Sequence, residues 1–266
     1  AFTEDGETLS GEHDVIAATV EMIHMSTLVH DDVLDEAEIR RRGATVNHLH
    51  GNEMAVMLGD YLISNAFHLC SRVGDPALNL RLGEVTNTLC EGELVQLSRR
   101  HDLTLDENTY FEIVRRKTGA LVGVSCELGA MLAGADASAS AAMRLFGESL
   151  GVAFQIQDDL LDLLGDEQTV GKSIGRDLEK GKLTLPMIMH IARTTGADRS
   201  SALRAIEAKD GAALRTMLMR SGAIEAARAR AVEIVEDAKR GLPATRRTHS
   251  RELLLELADR VVARNS

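Results

Sequence analysis

Apolar residues recur at helical spacing along nearly the whole chain, and no stretch sustains the strict alternation of a half-buried strand. Val15, Ala18, Met22, Met25 and Val29 share one face of a helix expected from Gly11 to about Ile39. Further helices are expected over 52–73, stopped by Gly74-Asp75-Pro76, over 77–100, and from an N-cap at Asp106 to about 134. A long helix is expected over 137–164. The segment 165–183 carries four glycines, three lysines and no apolar period, and reads as a functional loop. Beyond Thr184-Leu185-Pro186 come shorter helices broken at Gly196, Gly211 and Gly222, then an amphipathic helix over 250–264. Three prolines, no tryptophan and 3% aromatics agree with a chain built from helix. The expectation is an all-α fold, one domain over 1–266 with long central helices and a smaller C-terminal helical portion.

The net charge of −11 argues against broad contact with nucleic acid phosphates. Cys70, Cys90 and Cys126 are odd in number, lack Cys-x-x-Cys spacing and lie in apolar stretches, which suits buried, reduced thiols in a cytoplasmic protein. No apolar run approaches the ~20 residues needed to span a bilayer, and no signal-peptide pattern is present.

Two acidic clusters break the apolar pattern: Asp31-Asp32-Val33-Leu34-Asp35 and Asp158-Asp159-Leu160-Leu161-Asp162. On a helix, positions i and i+4 stack one turn apart, so Asp31 lies over Asp35 and Asp158 over Asp162. Asp32 and Asp159 point to the side, placed for a second ion or a cationic partner. Like charges at this spacing destabilise a bare helix by a few tenths of a kcal/mol, roughly. Their apolar neighbours, Leu28, Val29, Phe154 and Ile156 among them, make a solvated acidic face hard to arrange, and buried carboxylates need a partner. Hard oxygen ligands suit Mg²⁺, which keeps waters and bridges to phosphates; the spacing does not match an EF-hand. Basic residues trail each cluster: Arg40, Arg41 and Arg42 after the first, and Lys172, Arg176, Lys180 and Lys182 after the second. Arginine forks and lysine ammoniums bind phosphate oxygens, so the pattern points to a cage for diphosphate and metal.

The segment 21–36, with Arg40-Arg41 behind it, resembles the first aspartate-rich motif of the trans-isoprenyl diphosphate synthases, also called the polyprenyl synthetase family. Gly59-Asp60-Tyr61-Leu62, Lys117-Thr118-Gly119, the second cluster from Phe154, and Asp177-Leu178-Glu179-Lys180-Gly181-Lys182 resemble further motifs of that family in the same order. The resemblance implies an isoprenoid synthase-like bundle of long antiparallel helices around a deep apolar cavity, usually as a homodimer. It implies condensation of an allylic diphosphate with isopentenyl diphosphate. Asp31, Asp32, Asp35, Asp158, Asp159 and Asp162 would hold Mg²⁺, roughly three ions with substrate bound. Arg40, Lys117, Lys172 and Lys182 would contact the allylic diphosphate, with Thr118 and Gln155 close to the reacting carbons. His24 and Arg41 would help to hold isopentenyl diphosphate. The family's basic segment ahead of the first motif has no counterpart in residues 1–10, and truncation of the N-terminal part is the favoured explanation.

Ionisation of an allylic C–O bond leaves a diphosphate anion and a carbocation, so fixed cations must stabilise the leaving group while an apolar cavity excludes water. In the family, product length follows the residues one turn below the first motif. Here these are Ser26 and Thr27, with Ile23 a turn deeper; the first two are small, and a long-chain polyprenyl product is expected. The alternatives are a short-chain (farnesyl or geranylgeranyl) synthase, a non-catalytic subunit of a heteromeric prenyl synthase, a terpene cyclase and a helical interaction module. Peripheral contact with a membrane stays open, since the product would be oily. His30 reads as a helix-packing histidine, and His48, His50 and His68 make no metal triad at recognised spacing.

Overall fold

The computed structural model describes residues 9–41, 43–164, 175–243 and 249–263. These residues are helical almost throughout. The elements run α1 (Gly11–Leu34), β1 (Ile39–Arg40), β2 (Gly43–Ala44), α2 (Val46–His50), α3 (Asn52–Ser71), α4 (Pro76–Ser98) and α5 (Glu107–Val114). A π-helical turn (Arg115–Gly119) then leads into α6 (Ala120–Leu132) and α7 (Ala137–Leu164). The chain continues with α8 (Arg176–Glu179), α9 (Leu185–Arg193), α10 (Gly196–Glu207), α11 (Gly211–Arg220), α12 (Ala223–Gly241) and α13 (His249–Ala263).

Helix starts follow the capping chemistry. Asp75 accepts from the Ala77 N–H ahead of Pro76, and Asp106 accepts from the Thr109 N–H. Two expected helices come out differently. The first stops at Leu34 instead of running to Ile39, because Glu36 turns into the left-handed region (φ 47) and the chain reverses through a two-residue hairpin. The helix expected to run unbroken from Asp106 to about 134 is divided by the π turn. The short α2 and α8 carry no clear periodicity and went unforeseen.

Two apolar clusters make the core. One gathers Ile16, Ile23, Leu78, Leu82, Val85, Leu89, Leu121, Val124 and Leu128 from α1, α3, α4 and α6. The other gathers α5, α7 and the C-terminal helices around Phe146, Ile156, Leu160, Leu185 and Val235. Helices α6 and α7 join the two. Glycines let their backbones touch: a Cβ on Gly151 would lie 2.7 Å from Gly119 Cα, and one on Gly147 would lie 2.9 Å from Gly123 Cα. That close approach fixes Thr118, in the π turn ahead of α6, beside Gln155 on α7. Among the described residues no helix is long and apolar enough to cross a membrane.

Candidate active site

The first acidic cluster sits where α1 ends, with Asp35 as the C-cap residue rather than mid-helix. Carboxylates are unfavourable at this end of the helix dipole, and the structure surrounds them with cations. Arg40 Nε donates to Asp32 Oδ1 at 2.8 Å, Lys117 Nζ lies 3.3 Å from Asp31 Oδ2, and Arg100 Nη2 donates to Asp35 Oδ1 at 2.8 Å. Lys182 Nζ donates to Asp35 Oδ2 at 2.9 Å. Burial dominates at Asp31 and raises its pKa, reinforced by Glu93 and Asp35 and opposed by Lys117. At Asp35 burial is also the largest influence, but Lys182, Lys117 and Arg100 together outweigh it and hold the carboxyl below its ordinary range.

Lys117 and Thr118 project from the π turn, a geometry that recurs at functional sites. Lys117 is half-buried: it pairs with Glu93 and donates to Gln96 Oε1 at 3.0 Å. Burial works to lower its pKa, yet Asp31 and Glu93 raise it overall, so the ammonium keeps its charge. Thr118 Oγ1 donates to Gln155 Oε1 at 3.0 Å, and Gln155 Nε2 donates to Asp159 Oδ1 at 2.9 Å. Tyr110 OH donates to the other oxygen of Asp159 at 2.6 Å. This chain leads from the Lys-Thr pair to the second acidic cluster.

Asp159 is buried, and desolvation above all, then Asp177, pushes its pKa well up despite the bonds from Tyr110 and Gln155. Asp162 accepts from the backbone N–H groups of Arg176 and Asp177, both at 3.2 Å, which ties α8 to the end of α7. Asp177 is the acid that the two clusters alone do not reveal. Burial, then Asp162, pushes it up to about 7 against the pull of Lys182, with Asp158 and Asp35 adding to the rise. Lys182, bonded to Asp35, also acts on Asp177, whose N–H is held by Asp162, so the ends of the two clusters lie near one another. Lys117, Thr118, Gln155, Asp159, Asp177 and Lys182 line that cleft, over an apolar wall that includes Ile113, Val114 and Leu183.

Other expected site residues fall as follows. His24 is half-buried on α1, two turns before Asp31 on the same face. Arg41 is exposed in the β1–β2 turn with φ 49, a conformation that strains a non-glycine residue. Lys172 lies outside the described residues. Ile23 is fully buried in the apolar cluster below Asp31. Ser26 is also fully buried, but its hydroxyl donates to the Gly59 carbonyl on α3 at 2.8 Å, whereas Thr27 is half-buried and bonds its own helix at the His24 carbonyl. His30 packs on Gly59 and meets the Val56 carbonyl, as a helix-packing histidine should. Arg100, Glu93, Gln96 and Tyr110 join the site without a sequence signal beyond their charge or polarity.

Among the described residues, no three acidic, histidine or cysteine side chains already form a group that could hold an ion. The second cluster reaches the cleft through Asp159, and the first borders it through Lys117 and Lys182, the cations that close it. The donor set still fits Mg²⁺. It consists of carboxylate oxygens, and Asp162, Asp158 and Asp35 add to the burial that pushes Asp177 up to about 7, a crowding of acids that a divalent cation would relieve.

The polyprenyl synthetase family profile matches residues 2–218. A short chain isoprenyl diphosphate synthase from Methanothermobacter thermautotrophicus is 34% identical over 96% of this chain and 80% of its own length. The octaprenyl diphosphate synthase of Escherichia coli is 34% identical over 95% of this chain and 80% of its own. A crystal structure of a polyprenyl synthase from Caulobacter crescentus, complexed with calcium and isoprenyl diphosphate, superposes with a TM-score of 0.92 at 36% identity, covering 100% of this chain and 81% of that one.

Proposed function

The chain belongs to the polyprenyl synthetase family, and from that membership and its cleft we propose that it condenses an allylic diphosphate with isopentenyl diphosphate to give an all-trans polyprenyl diphosphate. One observation carries the proposal. Lys182 bonds Asp35 of the first acidic cluster and acts on Asp177 beside the second, so both clusters and the Thr118–Gln155 pair address one space. Asp31, Asp35, Asp158 and Asp162 would hold Mg²⁺, with Asp32 and Asp159 bracing the clusters through Arg40 and Tyr110. The ion supplies electrostatic stabilisation of the departing diphosphate.

The chain's own groups do the rest. Lys117 and Lys182 line the cleft and offer fixed cations to the diphosphate as its negative charge grows. Lys172 and Arg40 belong to the same set by the family resemblance. The Thr118 hydroxyl and the Gln155 carbonyl oxygen present dipoles toward the reacting carbons. Ile113, Val114 and Leu183 keep water from the allylic cation. His24 and Arg41 are assigned to isopentenyl diphosphate by the family resemblance.

The face below Asp31 is formed by Thr27 and then Ile23 at four-residue steps, which assigns them the floor against which the product grows. Ser26 reaches that floor only through its packing on α3. The small Thr27 supports a long-chain product. Met54, Met57 and Tyr61, exposed at helical spacing along α3, leave an apolar strip that suits a homodimer. Free cysteines suit the cytoplasm, and the whole chain is read as one synthase domain.

The test is incubation of the purified protein with farnesyl diphosphate, labelled isopentenyl diphosphate and Mg²⁺. Label should enter acid-labile polyprenyl product and should be lost on chelation. Absence of incorporation would favour a non-catalytic subunit, and a cyclic hydrocarbon would favour a cyclase.

A further inference from the structure

We propose that Arg100 is a diphosphate-binding residue of this cleft, parked on Asp35 while the site is empty and released to the substrate when the site fills. The proposal rests on the diphosphate site described above. Arg100 follows the end of α4, where His101 takes the left-handed conformation (φ 64) and donates its N–H to the Gly181 carbonyl at 2.8 Å. The imidazole of His101 lies against Gly181, where a Cβ would overlap the ring. That clasp fixes Arg100 in register with Lys182, one residue past Gly181. Both cations then meet the same carboxylate, Arg100 on Oδ1 at 2.8 Å and Lys182 on Oδ2 at 2.9 Å.

Two positive charges share one carboxylate. They also occupy both oxygens of a residue assigned to metal. An ion held by Asp35 competes with both for that carboxylate. Lys117 has Glu93 and Asp31 to share, but among the described residues the only ion pair of Arg100 is with Asp35. Its Nε–H is buried without an acceptor, and its side chain, 22% exposed, lines the cleft with Lys117 and Lys182. A planar guanidinium with an unused donor, held beside two lysines, matches the oxygens of a diphosphate. Arg99 also borders the cleft, but it pairs with Asp102 and its side chain is half exposed.

Calorimetric titration of the full chain with inorganic diphosphate in saturating Mg²⁺ tests the proposal. Arg100→Gln should weaken binding about tenfold or more, with Arg100→Lys recovering part of the loss and the KM for the allylic diphosphate rising more than kcat falls. A residue that only neutralises Asp35 would behave oppositely, because its removal opens that carboxylate to the metal. Unchanged or tighter diphosphate binding by folded Arg100→Gln would therefore overturn the proposal. Should that variant fail to fold, Arg100→Lys decides, since losing the planar fork must itself weaken binding severalfold. If the unaltered protein binds no diphosphate, the proposed function falls and this inference with it; if it binds and both variants match it, this inference alone falls.

Discussion

Asp177 shows how the individual groups of the site are tuned. Its carboxyl titrates at about 7 because it is buried beside Asp162, with Lys182 only partly compensating. A group whose pKa is raised on folding holds its proton more tightly in the folded chain. The ligand-free protein should therefore lose stability as pH rises from the ordinary carboxylate range through about 7, and Asp159 adds in the same direction. Asp35 has the opposite sign, but its stabilisation is lost only as pH falls below the ordinary carboxylate range. Denaturant midpoints at pH 5 and pH 8 check this: the fall should shrink in Asp177→Asn, and an equal fall in both proteins would contradict it. A second residue-scale prediction concerns product length. Thr27→Phe should shorten the product seen by chromatography, whereas Ser26→Phe should mainly loosen α1 from α3; an unchanged product from Thr27→Phe would remove the floor assigned to it. The paired aspartates were legible because their signal is local spacing. Asp177 was visible only as part of a motif, without its role, and Arg100 and Tyr110 were not legible, since each enters the site through contacts distant in sequence, such as Arg100 with Asp35.

Elements hold these residues in place through close packing that periodicity does not reveal. Gly119 and Gly123 face Gly151 and Gly147 across α6 and α7, and the backbone contact sets Thr118 against Gln155. Gly151→Val should cost about 1–3 kcal/mol or more, read as a lowered melting temperature, and should reduce kcat by separating that pair. A variant with unaltered stability would show that the helices can move apart freely. Helix α7 was legible to the residue, as were the starts near Pro76 and after Asp106, because capping residues and apolar period agree there. The π turn was hidden: Arg115–Gly119 has ordinary helical composition, and the extra residue is accommodated by tertiary packing, with Gly92 of α4 against Arg116 and Lys117. The early stop of α1 was hidden for a related reason. Its buried turn depends on Ala37 donating to the Asp32 carbonyl, and on the Ala37 carbonyl accepting from Thr45.

At the scale of the molecule, the two core clusters meet along α6 and α7, and the cleft opens where the ends of α1, α4 and α7 come together. The all-helical architecture was legible from composition and period together, while the placement of the two acidic helices across one cleft came only with the fold. The apolar strip on α3 bears on assembly. Light scattering should report a dimer, and Met57→Glu with Tyr61→Glu should yield monomer; a monomeric unaltered chain would contradict the homodimer. The central claim is that both acidic helices hold one metal–diphosphate together. Crystals soaked with Mn²⁺ and an unreactive allylic thiodiphosphate test it through anomalous scattering. Manganese peaks should join Asp31 and Asp35 on one side, and Asp158 or Asp162 on the other, to the same diphosphate, with Lys117 and Lys182 on its oxygens. A diphosphate bound with metal on only one acidic helix, or away from this cleft, would contradict it.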